Sequence, residues 1–154
     1  MKTTGDEYAT PPWVFEAAQT IYRCRFELDA CATFHNRKCD QYFSQYIDGL
    51  SQPWRANWVW CNPPYSEPHK WVNYAIEQVV MYHAQHVVML LKADTSAKWF
   101  HTLADKADIL LLYPRIKFVG AKGSPPWGSM FAHIWYSSLA RGLMGTSYIG
   151  GFKS

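Results

Sequence analysis

The sequence is short of charge, has no long apolar run, and has no pair of cysteines spaced to seed a metal site. Each shortage excludes something. Charged residues make up 18% of 154 positions and apolar residues 49%, which excludes an extended, disordered chain and leaves apolar surface for one sizeable core. No apolar run approaches the roughly 20 residues of a membrane-spanning helix, and the N-terminus lacks the charged-then-apolar pattern of a secretory signal. The expectation is a soluble, cytoplasmic protein without membrane contact, with residues 1–154 forming one domain. Cys24, Cys31, Cys39 and Cys61 stand at wide, uneven gaps with no C-x-x-C, so reduced thiols are expected rather than a zinc site. His35, His69, His83, His86, His101 and His133 are equally scattered, none at ligand spacing with a thiol or carboxylate, and no metal is expected. There is no internal repeat and no linker-like stretch.

What is present is aromatic: 17% of the chain, including eight tryptophans. The formal charge of +3 is compatible with a polyanionic partner without requiring one.

The Pro11-Pro12 pair opens "PPWVFEAAQTIYRC", in which Trp13, Ala17, Ala18 and Ile21 recur at helical spacing behind Thr10 as the capping residue. "RFELDACA" reads as a short strand ending near Asp29, and residues 33–55 show no clear period. "NWVWC" is a second strand. From Pro68 to about Gln85 the positions Trp71, Tyr74, Ala75, Gln78, Val79 and Tyr82 make one helix face, with Gln78 as an interruption. "HVVMLL" is a continuous apolar run of the buried, parallel-strand type. Thr95 to Lys106 reads as a helix, "DILLLY" as a strand, "RIKFVG" as a short one and "MFAHIWYS" as the last. The alternation predicts an α/β layer with a mostly parallel sheet and an antiparallel edge, and residues 120–128, "GAKGSPPWG", form a loop.

In such a sheet ligands gather at the carboxyl ends of strands. Two polar strand ends stand there: Asp29, and the step Asn62-Pro63-Pro64-Tyr65. The Asn62 amide oxygen and the Pro63 carbonyl, held by two proline rings, are two acceptors able to converge on one exocyclic amine. Tyr65 supplies a flat face for a planar base. The competing account is that Pro-Pro simply ends the strand and starts the next helix.

The blocks "ATPPWVFEAA", "FELDACAT", "DGLSQPW", "WVWCNPPYSEPHKWV", "LLKADTSAKWF" and "RIKFVGAKGSPPWGSMF" occur in that order between residues 9 and 131. Together they resemble the small phage-type (Dam-like) DNA N6-adenine methyltransferases, which use S-adenosylmethionine. The resemblance implies a compact, shortened Rossmann-like S-adenosylmethionine-dependent methyltransferase fold, DNA as partner, and the host cytoplasm as location if a phage encodes the chain. It implies catalytic roles for Asn62, Pro63, Pro64 and Tyr65, and cofactor contacts for Thr10, Pro11, Asp29, Ala30, Cys31 and Asp48. Two departures stand out. The glycine-rich cofactor turn is absent, since Asp29 is followed by Ala30-Cys31-Ala32-Thr33, and small residues must allow the close approach instead. Residues 30–61 are also too few for two complete strand-helix units, so an intervening element must be shortened or missing.

Trp127, in its Gly-Pro loop, is a candidate for stacking on or wedging behind an extruded base, or else a loop anchor. Lys92, Lys98, Arg115, Lys117 and Lys122 fall near strand ends and are candidate phosphate contacts, each with a plain surface role as the alternative. Ser66 and Ser129 either hydrogen-bond substrate or cap turns. Three functions follow: methylation of adenine N6 in DNA; methylation of another nitrogen, such as cytosine N4 or a protein glutamine amide; or a silent DNA binder that lost its cofactor site. The motif leaves oligomeric state and target base sequence open.

Overall fold

The computed structural model describes residues 9–44, 46–120 and 125–141. In chain order the elements are α1 (Pro12–Tyr22), β1 (Leu28–Asp29), β2 (Gln41–Tyr42), a 3₁₀ turn (Gly49–Ser51), β3 (Ala56–Cys61), α2 (Pro68–Val80), β4 (Ala84–Lys92), α3 (Lys98–Ala104), β5 (Asp108–Leu111), β6 (Ser129–Trp135) and α4 (Tyr136–Arg141). The strands form one sheet in the order β2-β1-β3-β4-β6-β5. β2, β1, β3 and β4 are parallel, while β6 lies antiparallel between β4 and β5. This is the expected α/β sheet, mostly parallel with an antiparallel edge. Among the described residues no helix is long and apolar enough to cross a membrane.

Central β4 explains its own sequence. Flanked by β3 and β6 and covered on both faces, it needs no polar alternation, and Val87 through Leu91 are fully buried. The two-residue period of a strand then divides the core. Val87, Met89 and Leu91 join Val59 and Cys61 beneath α2 and α3, and Val88 and Leu90 join Trp60 and Phe131 beneath α1.

Several local expectations are corrected. The inward face of α1 is Val14 and Ala18, with Phe15 packed edge-on against Trp60 at 5.4 Å; Trp13 and Ile21 are 58% and 48% exposed. The larger aromatic does not win because the i, i+4 pair of small residues lets the helix lie close to the sheet. Thr10 caps nothing: Pro11 is the N-cap, with no side-chain bond to the helix. α2 stops at Val80, because Tyr82 takes a left-handed φ of 60° and points its ring into solvent, 82% exposed. α3 starts late, since Asp94 accepts from the Ser96 hydroxyl at 2.7 Å and holds the preceding residues in a turn. "RIKFVG" forms only an isolated bridge at Val119, and "YS" of the last block begins α4 rather than extending β6.

The stretch without a period, residues 33–55, contains β2 and the 3₁₀ turn. It is held by fully buried Trp54, whose indole donates to the Gly49 carbonyl at 2.7 Å and whose backbone N–H donates to Gln78 Oε1 at 2.8 Å. Gln78, the polar interruption in the α2 face, is thus the acceptor for a buried N–H that would otherwise go unsatisfied. No disulfide joins the four cysteines; burial and the carboxylates of Asp29, Asp40 and Glu27 push the Cys39 thiol up to about 12.

At the amino edge of the parallel strands, Trp58 lies flat on His86 with ring centres 3.9 Å apart, and His86 Nδ1 is 2.9 Å from His133 Nε2. The Trp135 indole donates to Asp108 Oδ2 at 2.7 Å. Burial lowers the His133 pKa to about 4, helped by neighbouring His86 and opposed by Asp108. The native imidazole therefore stays neutral where the unfolded one, titrating near about 6.5, takes up a proton. Its stabilising effect is present above the unfolded pKa and is lost as pH falls toward the folded one. The urea unfolding midpoint is expected to drop between pH 7 and pH 5, and to drop less in His133→Phe; equal slopes for the two proteins would contradict this.

Candidate active site

β1 has β2 on one side and β3 on the other, so the strand order reverses at β1 and the loops leaving β1 and β3 diverge. A crevice opens at such a reversal. Leu28 and Asp29 pair with Val59 and Trp60, so Asp29 and Asn62 end adjacent parallel strands at this crevice.

Asp29 is 2% exposed, and its carboxylate accepts from the backbone N–H groups of Cys31 at 3.3 Å and Lys38 at 3.0 Å. It therefore ties the loop after β1 to the segment that leads into β2. Ala30, Cys31 and Asp48 do come together. With Phe43, Gly49 and Trp71 they line a cleft of about 150 Å³. Asp48 accepts from Leu50 N at 2.9 Å and so caps the 3₁₀ turn. Gly49 is the glycine of this wall. A Cβ there would collide with the Ala30 carbonyl oxygen and sit 3.2 Å from the Trp71 ring. The absence of a side chain at Gly49 thus lets the wall that carries it approach Ala30 and Trp71 closely.

Pro63 and Pro64 lack N–H groups and cannot continue the ladder, so β3 ends and Asn62 leaves the sheet. Its side-chain Nδ2 donates to Thr10 Oγ1 at 3.0 Å. Thr10 is brought there by an antiparallel bridge between Ala9 and Val119, in which Val119 N donates to Ala9 O at 3.2 Å, and it is 4% exposed beside buried Pro11. Tyr65 meets Phe118 and Trp127 edge-on, with ring centres at 6.1 and 5.8 Å. The Lys92 ammonium lies 5.1 Å from the centre of the Trp127 ring, a cation–π contact. Ser129 pairs with Lys92 across β4 and β6 and is 2% exposed; its hydroxyl has no hydrogen-bond partner among the described residues.

The expected residues thus divide. Asn62, Thr10, Tyr65, Trp127, Lys92 and Ser129 are drawn to the carboxyl edge of the sheet. Arg115 and Lys117 are exposed and alternate with buried Ile116 and Phe118, so their chains face solvent. Ser66 is exposed in the turn before α2, and Lys98 is exposed at the start of α3. Lys122 lies outside the described residues. Phe118 and Gly49 were not among the expected contributors. The alternation of "RIKF" held a signal for the first and the Asp-Gly turn dipeptide for the second.

The parallel sheet with its antiparallel β6, and the crevice at β1 and β3, define a Rossmann-like methyltransferase fold. A solved structure from Pyrococcus horikoshii, described as a candidate RNA methyltransferase, matches with a TM-score of 0.54 and 10% identity over 85% of this chain and 87% of that one. The chain belongs to the DNA N-6-adenine-methyltransferase (Dam) family, whose model matches residues 1–131. It is 38% identical over 120 residues to the DNA N-6-adenine-methyltransferase of Haemophilus phage HP1, covering 77% of this chain and 69% of that one. It is 41% identical over 96 residues to the protein of the same name from Escherichia phage T1, covering 62% of this chain and 39% of that one.

Gly49→Ala should cost about 1–3 kcal/mol of stability, because the Ala30 carbonyl and the Trp71 ring, itself packed on Trp54, have no room to retreat. The urea unfolding midpoint checks this, and an unshifted midpoint would mean that the loop simply moves aside.

Proposed function

We propose that this protein methylates the N6 amino group of adenine in DNA. The observation that carries this reading is Asn62, placed at the carboxyl end of β3 with its amide anchored and Tyr65 beside it. Its Oδ1 and the Pro63 carbonyl accept the two hydrogens of the adenine amine. That withdraws the nitrogen lone pair from the purine ring and makes the nitrogen a better nucleophile. The adenine has to leave the duplex to reach them, and Tyr65, buttressed edge-on by Phe118 and Trp127, offers the extruded ring a stacking partner. Pro64 stiffens the step between the acceptor and the ring. The Ser129 hydroxyl is a donor available to a base edge, and Lys92, Arg115 and Lys117 offer positive charge to the DNA backbone.

S-adenosylmethionine would supply the methyl, activated on a sulfonium sulfur that leaves as the neutral thioether. This chain's residues fit such a donor. A cleft of about 150 Å³ walled by Ala30, Phe43 and Trp71 takes one aromatic ring. Asp48, in the lining, offers a carboxylate to sugar hydroxyls, and Asp29 at the end of β1 holds the neighbouring Cys31 N–H in place beside that cleft. No covalent enzyme intermediate is required, since the amine itself attacks, and it releases a proton to water after transfer.

Asn62→Ala is expected to bind S-adenosylmethionine nearly as the parent does while losing at least about a hundredfold in turnover. The check is transfer of labelled methyl to unmethylated DNA, followed by nucleoside analysis. Label in N6-methyladenine that disappears in the variant supports both substrate and step, whereas undiminished label would remove Asn62 from the mechanism. Label appearing in protein or in cytosine instead would change the substrate.

A further inference from the structure

We propose that Thr10 is a positioning residue for Asn62: its hydroxyl holds the amide nitrogen, so that the amide oxygen is the end presented to the amine. The inference rests on the role given to Asn62 above and adds a dependence of that role on the N-terminal segment.

An asparagine amide is nearly symmetric in shape but opposite in polarity at its two ends, and rotation about its last torsion meets only a broad, shallow barrier. Presented the wrong way round, it would set N–H donors against the N–H groups of the substrate amine. The 3.0 Å bond from Nδ2 to Thr10 Oγ1 has to break before the amide can turn, and while it is made Oδ1 is the end directed away from Thr10. The hydroxyl, itself a donor as well as an acceptor, acts by holding the amide in place rather than by rejecting the other end. Three observations make Thr10 a fixed partner. Its hydroxyl is not committed to α1, which starts from Pro11 without a side-chain cap. Its backbone is held on one side by the Ala9–Val119 bridge and on the other by Pro11 at φ −60° and Pro12 at the first helical position. At 4% exposure, water does not compete readily for the bond. The same bridge joins the strand of chain that bears Phe118 to the segment that bears Thr10, so the amide and the ring wall share one support.

Thr10→Val keeps the buried volume and removes the acceptor, and Thr10→Ser restores it. Single-turnover methyl transfer to DNA should fall about threefold to tenfold in Thr10→Val, the loss expected of one buried hydrogen bond, with S-adenosylmethionine and DNA affinities changing less than about twofold. Thr10→Ser should return to near the parent rate. An unchanged rate in Thr10→Val would overturn the proposal. A loss carried wholly by cofactor affinity would also overturn it, by making Thr10 a cofactor contact alone. A readout that needs no variant to fold is the side-chain amide signal of Asn62 in the parent protein. The amide proton directed at Thr10 should be protected from water exchange, and exchange at the rate of a solvated asparagine amide would sink the idea. Asn62→Ala is measured alongside. Full activity there would remove Asn62 from the mechanism whatever Thr10 does, whereas loss in Asn62→Ala with none in Thr10→Val overturns the positioning role only.

Discussion

The hydrogen bonds of one buried tryptophan hold the architecture at its thinnest point. Parallel neighbours need a crossover connection, commonly a helix, to return the chain from one edge of the sheet to the other. Between β2 and β3 only residues 43–55 make that return, with a single 3₁₀ turn along the way. Trp54 does what a helix would have done. Its indole and backbone N–H fasten the descending chain to Gly49 and to Gln78 of α2, and its ring packs against Trp71 and Tyr74. Such bonds contribute about 1 kcal/mol each when made and cost more when one buried partner is removed. The cleft wall at Asp48 and Gly49 therefore sits where it does because of contacts on the helix side of the sheet.

The fold was legible wherever burial was symmetrical. "HVVMLL" announced a strand covered on both faces, and "NWVWC" ahead of two prolines announced both a strand and its end. Illegible parts were those in which a side chain served its neighbours rather than a period. β2 is two residues long and leaves no pattern to detect. α1 was read with its face rotated, because a tryptophan was weighed above a valine, although Ala18 was placed on the face it does occupy. The site was half legible. Asn62 and Tyr65 carry chemistry that can be argued from residue types, and Trp127 stood out as an aromatic in a loop. The Thr10–Asn62 contact spans 52 positions and depends on a bridge to Val119 that no local signal encodes. A threonine ahead of two prolines looks like a helix cap until the tertiary structure claims its hydroxyl.

The two edges of the sheet use aromatic rings in opposite ways. At the amino edge Trp58, His86, His133 and Trp135 are laid nearly parallel, with interplanar angles of 5° for Trp58 on His86 and 3° for His133 on Trp135. Their faces are spent on one another, and a hydrogen bond joins His86 Nδ1 and His133 Nε2 inside the stack. At the carboxyl edge Tyr65 meets its neighbours at 80° and 62°, contacts that brace a ring from its edges. The first arrangement stabilises a closed structure, and the second suits a ring whose partner arrives from outside.

The bridge between Ala9 and Val119 also bears on when the site comes into being. Closing a loop of that length costs entropy that local contacts do not repay, and contacts so distant in sequence are among the last a folding chain secures. Residues 10 and 62 and the strands β1 through β4 are all translated before Val119, so the partner that fixes Thr10 is the last of these pieces to be made. The order of synthesis thus puts the support of Thr10 after every parallel strand of the sheet and ahead of β6 alone.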